Sequence, residues 1–151
     1  MLAAVFSALH LIALGIGLGA VWMRGRALRS PTFDEAALRR ALAADNFWGL
    51  AALLWIVTGL TRLFGGLDKD TGFYLSNGLF WVKMALFAGI LVLELWPMTI
   101  FIRWRVARAR GGAPDTSRAA LLARINDLEV VLVVLVVFVA AMMARGLWLL
   151  A

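Results

Sequence analysis

The stretch LFWVKMALFAGILVLELWPMTIFI, residues 79–102, decides the fold of this chain. It carries only two ionisable side chains, Lys83 and Glu94. At about 1.5 Å per residue, a helix of this length exceeds the roughly 30 Å hydrocarbon core of a bilayer. We therefore predict that residues 79–102 form a transmembrane helix.

Three further apolar runs of similar length occupy residues 2–23, 46–64 and 121–150. The 151-residue chain is 64% hydrophobic and 16% charged, with a mean hydropathy of +0.91. Soluble domains are usually about 45–50% apolar and about 25% charged. The sequence therefore predicts an all-α integral membrane protein in which residues 1–151 form one four-helix bundle.

Arginines are concentrated in two of the three connections between these runs. The first connection, with its flanks, contains Arg24, Arg26, Arg29, Arg39 and Arg40, and the third contains Arg103, Arg105, Arg108, Arg110 and Arg118. The second connection has Lys69 between Asp68 and Asp70. The positive-inside rule then predicts a multi-pass protein of the bacterial inner (cytoplasmic) membrane with both termini outside, N-out and C-out.

The net charge of +6 follows from the same arginines. We interpret them as topology determinants and contacts for membrane lipid, and we expect no nucleic-acid partner because no nucleic-acid motif accompanies them. The chain has no cysteine, which excludes disulfides, thiolate catalysis and cysteine-ligated metal centres.

The segment SPTFDEAALRRALAADN, residues 30–46, predicts a short amphipathic helix that lies along the interface between the first two spans. Leu38 and Leu42 would form its apolar face, opposite Arg39 and Arg40.

The run GIGLGA, Gly15–Ala20, satisfies the glycine pattern of dinucleotide-binding folds. That pattern requires a preceding strand and a soluble βαβ unit, which this chain lacks. Gly15 and Gly19 also form a G-x-x-x-G pair, and we predict that this pair allows close packing of transmembrane helices.

Ionisable residues inside the spans fall into two layers. His10, Arg62, Lys83 and Arg145 are predicted in the exterior half, whereas Glu94, Asp127 and Glu129 are predicted in the cytoplasmic half. We expect the acidic residues to pair with arginines at the cytoplasmic rim. The cations of the outer layer either face the bundle interior or extend to the interface along lipid.

His10 lies roughly 12 Å along its helix, too deep for an imidazole to reach the interface. Its helical face carries Ala3, Ser7, Ala13 and Gly17, a set of small side chains beside a potential ligand. On the third span, one stripe contains Lys83, Phe87, Ile90 and Glu94, because eleven residues make close to three helical turns. Met142 and Met143 of the last span reach about the depth of His10. His10 is either a satisfied interior polar group or a metal ligand.

Several motifs are similar to those of a known family. The runs FWVKMALF, PMTIFIRWR and LRRALAADNFWGLAALLWIVTGLTRLF resemble the bacterial membrane proteins of domain of unknown function 2214, over most of the chain from about Leu38 onward. The family has no established activity, so this resemblance implies none for the chain.

A more distant likeness is to the four-helix, haem-binding membrane protoporphyrinogen oxidase and to related copper-resistance D membrane proteins. It rests on ALHLIAL, WVKMAL and RINDLEVVLVV. The resemblance implies that His10 is an axial ligand of haem iron and that Lys83 is its cationic partner. It also implies that Asn126 and Asp127 replace an Asn-Glu pair.

These observations leave three hypotheses for the function. The first is a haem b or porphyrin protein in which His10 binds iron, Lys83 with Arg62 or Arg145 pairs with carboxylates, and Met142 lies nearby. Its partners would be quinone or another membrane redox protein. The second is a small transport or proton-relay component along the stripe from Lys83 to Glu94, and the third is a non-catalytic membrane subunit. Because the chain has one histidine, bis-histidine ligation of a haem would require a homo-oligomer of at least two chains.

Overall fold

The computed structural model describes residues 1–67 and 69–148, and all regular structure among them is α-helical. The helices are α1 (Leu2–Leu28), α2 (Glu35–Phe64), α3 (Thr71–Leu75), α4 (Gly78–Ala109) and α5 (Ala119–Ala144). Four of them, α1, α2, α4 and α5, are long and apolar enough to cross a membrane. The prediction of an all-α fold with four membrane-length helices is therefore confirmed. The predicted end of the last span, residues 149 and 150, lies outside the described residues.

Helices α1, α2 and α4 extend beyond the predicted apolar runs because their flanks continue the helical backbone, whereas α5 ends at Ala144, short of the predicted end of the last span at residue 150. The largest difference concerns the predicted interfacial helix, which is not a separate element. Asp34 caps α2 by accepting a 2.7 Å hydrogen bond from the Ala37 amide, and the helix continues without a break into the second span. Leu38 and Leu42 are buried and Arg39 is exposed, as the amphipathic pattern predicted. This first part of α2 packs on the bundle instead of standing apart from it.

The helices are arranged so that α1 packs against α2 and α5, and α5 packs against α4. In contrast, α2 and α4 approach each other at few positions. Large apolar side chains cover the outer surface, and Phe138, for example, is 64% exposed. Such a surface is stable in contact with lipid chains and not with water.

Apolar and polar layers alternate along the bundle axis. We call the end where α1 and α4 finish the arginine-rich end, and its apolar layer includes Leu28, Phe101 and Trp104. Next come a buried polar cluster around Arg24 and then a middle apolar layer, formed by Ala13, Ala20, Val21, Trp48, Trp55, Ile90, Val133 and Val136. Beyond this middle layer, at the opposite end, lies a cavity.

Glycine contacts differ from the predicted ones. A Cβ at Gly15 or Gly19 would meet nothing within 4 Å, so the predicted G-x-x-x-G pair does not form a helix contact within the bundle. On α1 the close approaches occur at Gly17, where a Cβ would lie 3.3 Å from the Ala51 side chain, and at Gly25, where it would lie 2.6 Å from Nδ2 of Asn126. Within the bundle the prediction was wrong, because the packed face of α1 contains Gly17 and lies on the opposite side of the helix from the exposed Gly15 and Gly19.

Candidate functional site

The cavity has a volume of about 650 Å³ and receives side chains from all four long helices. Three of the predicted site residues, His10, Arg62 and Lys83, are among those that line it. Residues of α2 and α4 form two of its walls, and these two helices approach each other at few positions. Most of the lining is apolar, including Trp55 and Phe87.

His10 is held by a hydrogen bond to the neighbouring helix. Its Nδ1 lies 2.7 Å from Oγ1 of Thr58, and that hydroxyl in turn donates to the carbonyl oxygen of Leu54 at 2.6 Å. Because the hydroxyl proton is used on Leu54, Thr58 accepts from His10, which places the imidazole proton on Nδ1. Nε2 is then the ring nitrogen with a free lone pair. The centroid of the Trp55 ring lies 6.2 Å from that of the imidazole, with the two rings tilted by 37°.

Positive charge is the second feature of the cavity. Arg62, Lys69 and Lys83 line it, and the described lining residues include no Asp or Glu. Lys83 makes no ion pair with any residue of the described ranges and is partly buried between helices. Lys83 and Arg62 therefore line the interior cavity instead of extending along the lipid-facing surface. A buried cation is costly in a membrane, and a bound anion would offset that cost.

Two residues proposed from sequence lie elsewhere. Met142 is 45% exposed and is not part of the cavity lining, whereas its neighbour Met143 is. Arg145 directly follows α5, is exposed and is also outside the lining. Neither residue contributes to the site as the structure shows it.

A second polar site surrounds Arg24, which is 1% exposed. Its five guanidinium hydrogens face five acceptors on the other three long helices. These are Oδ1 of Asn126 (2.9 Å), Oδ1 of Asp45 (2.9 Å), Oε1 and Oε2 of Glu94 (both 2.9 Å) and Oε2 of Glu129 (2.5 Å). One side chain of α1 thus ties together α2, α4 and α5.

Further contacts complete this Arg24 cluster. Nε1 of Trp48 donates to Oε2 of Glu94 at 3.1 Å, and Nη2 of Arg105 donates to the second oxygen of Asp45 at 2.8 Å. Nδ2 of Asn126 donates to the carbonyl oxygen of Val21 at 2.9 Å. The expectation that Glu94 pairs with an arginine is confirmed, but its partner comes from the end of the first helix.

Asn126 and Asp127, adjacent in sequence, have different roles. Asn126 is buried in the Arg24 cluster. Asp127 is 57% exposed and forms an ion pair with Arg29 at the surface. Among the described residues, no group of three or more His, Asp or Glu side chains has an arrangement that could hold a metal ion.

Sequence reasoning missed Arg24, Asp45 and Thr58. Arg24 was interpreted as a topology determinant, because an arginine at the end of an apolar span usually has that role. A signal was nevertheless present, since His10, Gly17 and Arg24 follow one another at spacings of seven and so share one face of α1. Thr58 and Asp45 have no comparable signal, because their roles depend on partners from other helices.

Fold and site together define a polytopic membrane protein, a bundle of four long helices with a buried arginine cluster at one level and a cation-lined cavity at another. Within this class, the chain belongs to the family described as Predicted membrane protein (DUF2214), whose model matches residues 2–147. No curated protein and no solved structure gives a significant match. The likeness to protoporphyrinogen oxidase and copper-resistance proteins remains an expectation drawn from short motifs.

Proposed function

We propose that the cavity binds haem b or a related porphyrin, with His10 as the axial ligand of the iron. The observation that carries this proposal is the hydrogen bond from Nδ1 of His10 to Thr58. Histidines that bind metals through one ring nitrogen usually donate from the other nitrogen to a fixed acceptor, which sets the tautomer and orients the ring. Here the acceptor is buried, being 2% exposed, so the orientation is well fixed.

The charge of the cavity supports an anionic ligand. Haem carries two carboxylates on a large apolar ring, and the lining combines apolar side chains with Lys83 and Arg62. The volume of about 650 Å³ lies within the usual range of ligand pockets, about 300–1,000 Å³. His10 would hold the iron, and Lys83 with Arg62 would pair with the carboxylates. A bound haem would supply one-electron transfer, for which quinone or another membrane redox protein is the proposed partner.

The proposal is tested by the absorption spectrum of the full chain, purified in neutral detergent from cells supplied with excess haem. The wild-type protein should show a Soret band, and His10→Ala should abolish it because the coordinate bond is lost. Ser7→Ala is a matched control, since Ser7 also lines the cavity from α1. A wild-type protein without a Soret band, or a His10→Ala variant with an unchanged one, would contradict the proposal.

The two other hypotheses receive less support. A transport or proton-relay path from Lys83 to Glu94 would have to cross the middle apolar layer, where Ile90, Val133 and Trp55 are buried. A purely structural subunit would not need a cation-lined cavity. We also propose that the arginine-rich end faces the cytoplasm of the bacterial inner membrane, because the arginines of both flanking connections lie at that end.

A further inference from the structure

Charge balance in the Arg24 cluster is incomplete. The carboxyl groups of Asp45, Glu94 and Glu129 contact Arg24, and Asp45 also contacts Arg105. Three carboxylates against two guanidinium groups leave one net negative charge inside the bundle. Among the described residues, no other cation forms an ion pair with these three carboxyl groups. Arg29 and Asp127, the neighbouring charges on α1 and α5, pair with each other at the exposed surface. One proton would make the cluster neutral.

Glu129 shows where that proton belongs. Its side chain has no exposed surface, and Oε1 has no hydrogen-bond partner among the described residues. An ionised carboxylate with an unpaired oxygen is very unfavourable in such surroundings, whereas the carbonyl oxygen of a neutral carboxyl is tolerated more easily. Oε2 of Glu129 and Oε2 of Glu94 both accept from Nη2 of Arg24, so the two carboxyl groups are close neighbours. Two carboxyl groups that contact the same nitrogen do not both ionise easily, because like charges so close together repel each other.

We propose that Glu94 and Glu129 hold one exchangeable proton between them, so that the Arg24 cluster is a proton-binding site within the membrane, separate from the cavity. The proton comes from water at the arginine-rich end and returns to it. Asp45 and Arg105, with side chains 13% and 34% exposed, connect the cluster to that end. Release of the proton leaves the cluster with one net negative charge, and binding restores neutrality. The middle apolar layer separates this site from His10 and Lys83.

Infrared difference spectroscopy on the full chain in lipid vesicles tests the proposal. Wild-type protein should show the carbonyl stretch of a protonated carboxyl group, and the band should shift in deuterated water because the proton exchanges. Glu129→Gln and Glu94→Gln should each remove the band, since one carboxyl fewer leaves the cluster neutral without a bound proton. Asp127→Asn, two residues before Glu129 and exposed, should retain it.

A labelling experiment keeps the test independent of whether these variants fold. The chain contains three glutamates, Glu35, Glu94 and Glu129, and Glu35 is exposed. Carbon-13 labelling of glutamate alone in wild-type protein should therefore shift the band. Absence of the band, a band that glutamate labelling leaves in place, or a band that does not exchange with deuterium would each overturn the proposal.

Discussion

Replacement of Arg24 by leucine should destabilise the bundle strongly. The substitution keeps an apolar side chain of substantial volume in place but removes all five donors of the Arg24 cluster, leaving three carboxyl groups and the Asn126 amide without their common partner. Removing one partner of a buried ion pair costs about 3–5 kcal/mol of unfolding free energy. Protonation of the remaining carboxyl groups recovers part of this loss, so we expect about 3 kcal/mol.

The matched control is Arg26→Leu, on the same helix but exposed. It removes the same charge from the same end of the bundle, and surface substitutions usually change stability by no more than about 0.5 kcal/mol. Arg24→Lys should fall between the two, because an ammonium group has three donors at one point and cannot span acceptors on three helices.

The assay is reversible unfolding in mixed micelles with increasing dodecyl sulfate, followed by the near-ultraviolet circular dichroism of the tryptophans. Arg24→Leu should unfold at a clearly lower dodecyl sulfate fraction than Arg26→Leu. Equal midpoints for these two variants would show that Arg24 serves topology alone and would refute the reasoning.

Three other predictions concern packing, ligand orientation and topology. Gly25→Ala should lower the unfolding free energy by about 1–3 kcal/mol through overpacking. Gly15→Ala places its methyl group in open space and should leave the unfolding free energy unchanged. Equal changes in the two variants would contradict the packing described for α1. Thr58→Val should weaken haem binding about 10–100-fold by removing the hydrogen-bond acceptor of His10, the proposed axial ligand. Thr61→Val, one turn further on, should leave the haem affinity measured by titration unchanged. A single cysteine placed in residues 110–118 of this cysteine-free chain should resist an impermeant maleimide in intact cells and react after lysis; reaction in intact cells would reverse the topology.

The four long helices could be predicted from the sequence because each apolar run is long enough to cross a bilayer as a helix. It also placed Lys83 and Glu94 toward the interior, because helical periodicity puts them on one stripe. Periodicity alone did not show which glycine face of α1 would be packed, and the Gly15–Gly19 prediction failed for that reason.

Interactions between helices were harder to predict. An arginine at the end of a span looks the same whether it marks topology or binds three carboxyl groups, and Arg24 was assigned only the first role. The hydrogen bond from His10 to Thr58 joins residues 48 positions apart, a distance at which helical spacing carries no information.

The central claim, a porphyrin site with His10 on the iron and Lys83 on a carboxylate, is tested most directly by titrating the purified full chain with haem and, in parallel, with iron-free protoporphyrin. Wild-type protein should bind both pigments. His10→Ala should lose most of its affinity for haem but keep its affinity for protoporphyrin, because only the former uses a coordinate bond, whereas Lys83→Gln should weaken the binding of both. If wild-type protein binds neither pigment, or if His10→Ala binds haem as tightly as wild type, the claim is contradicted.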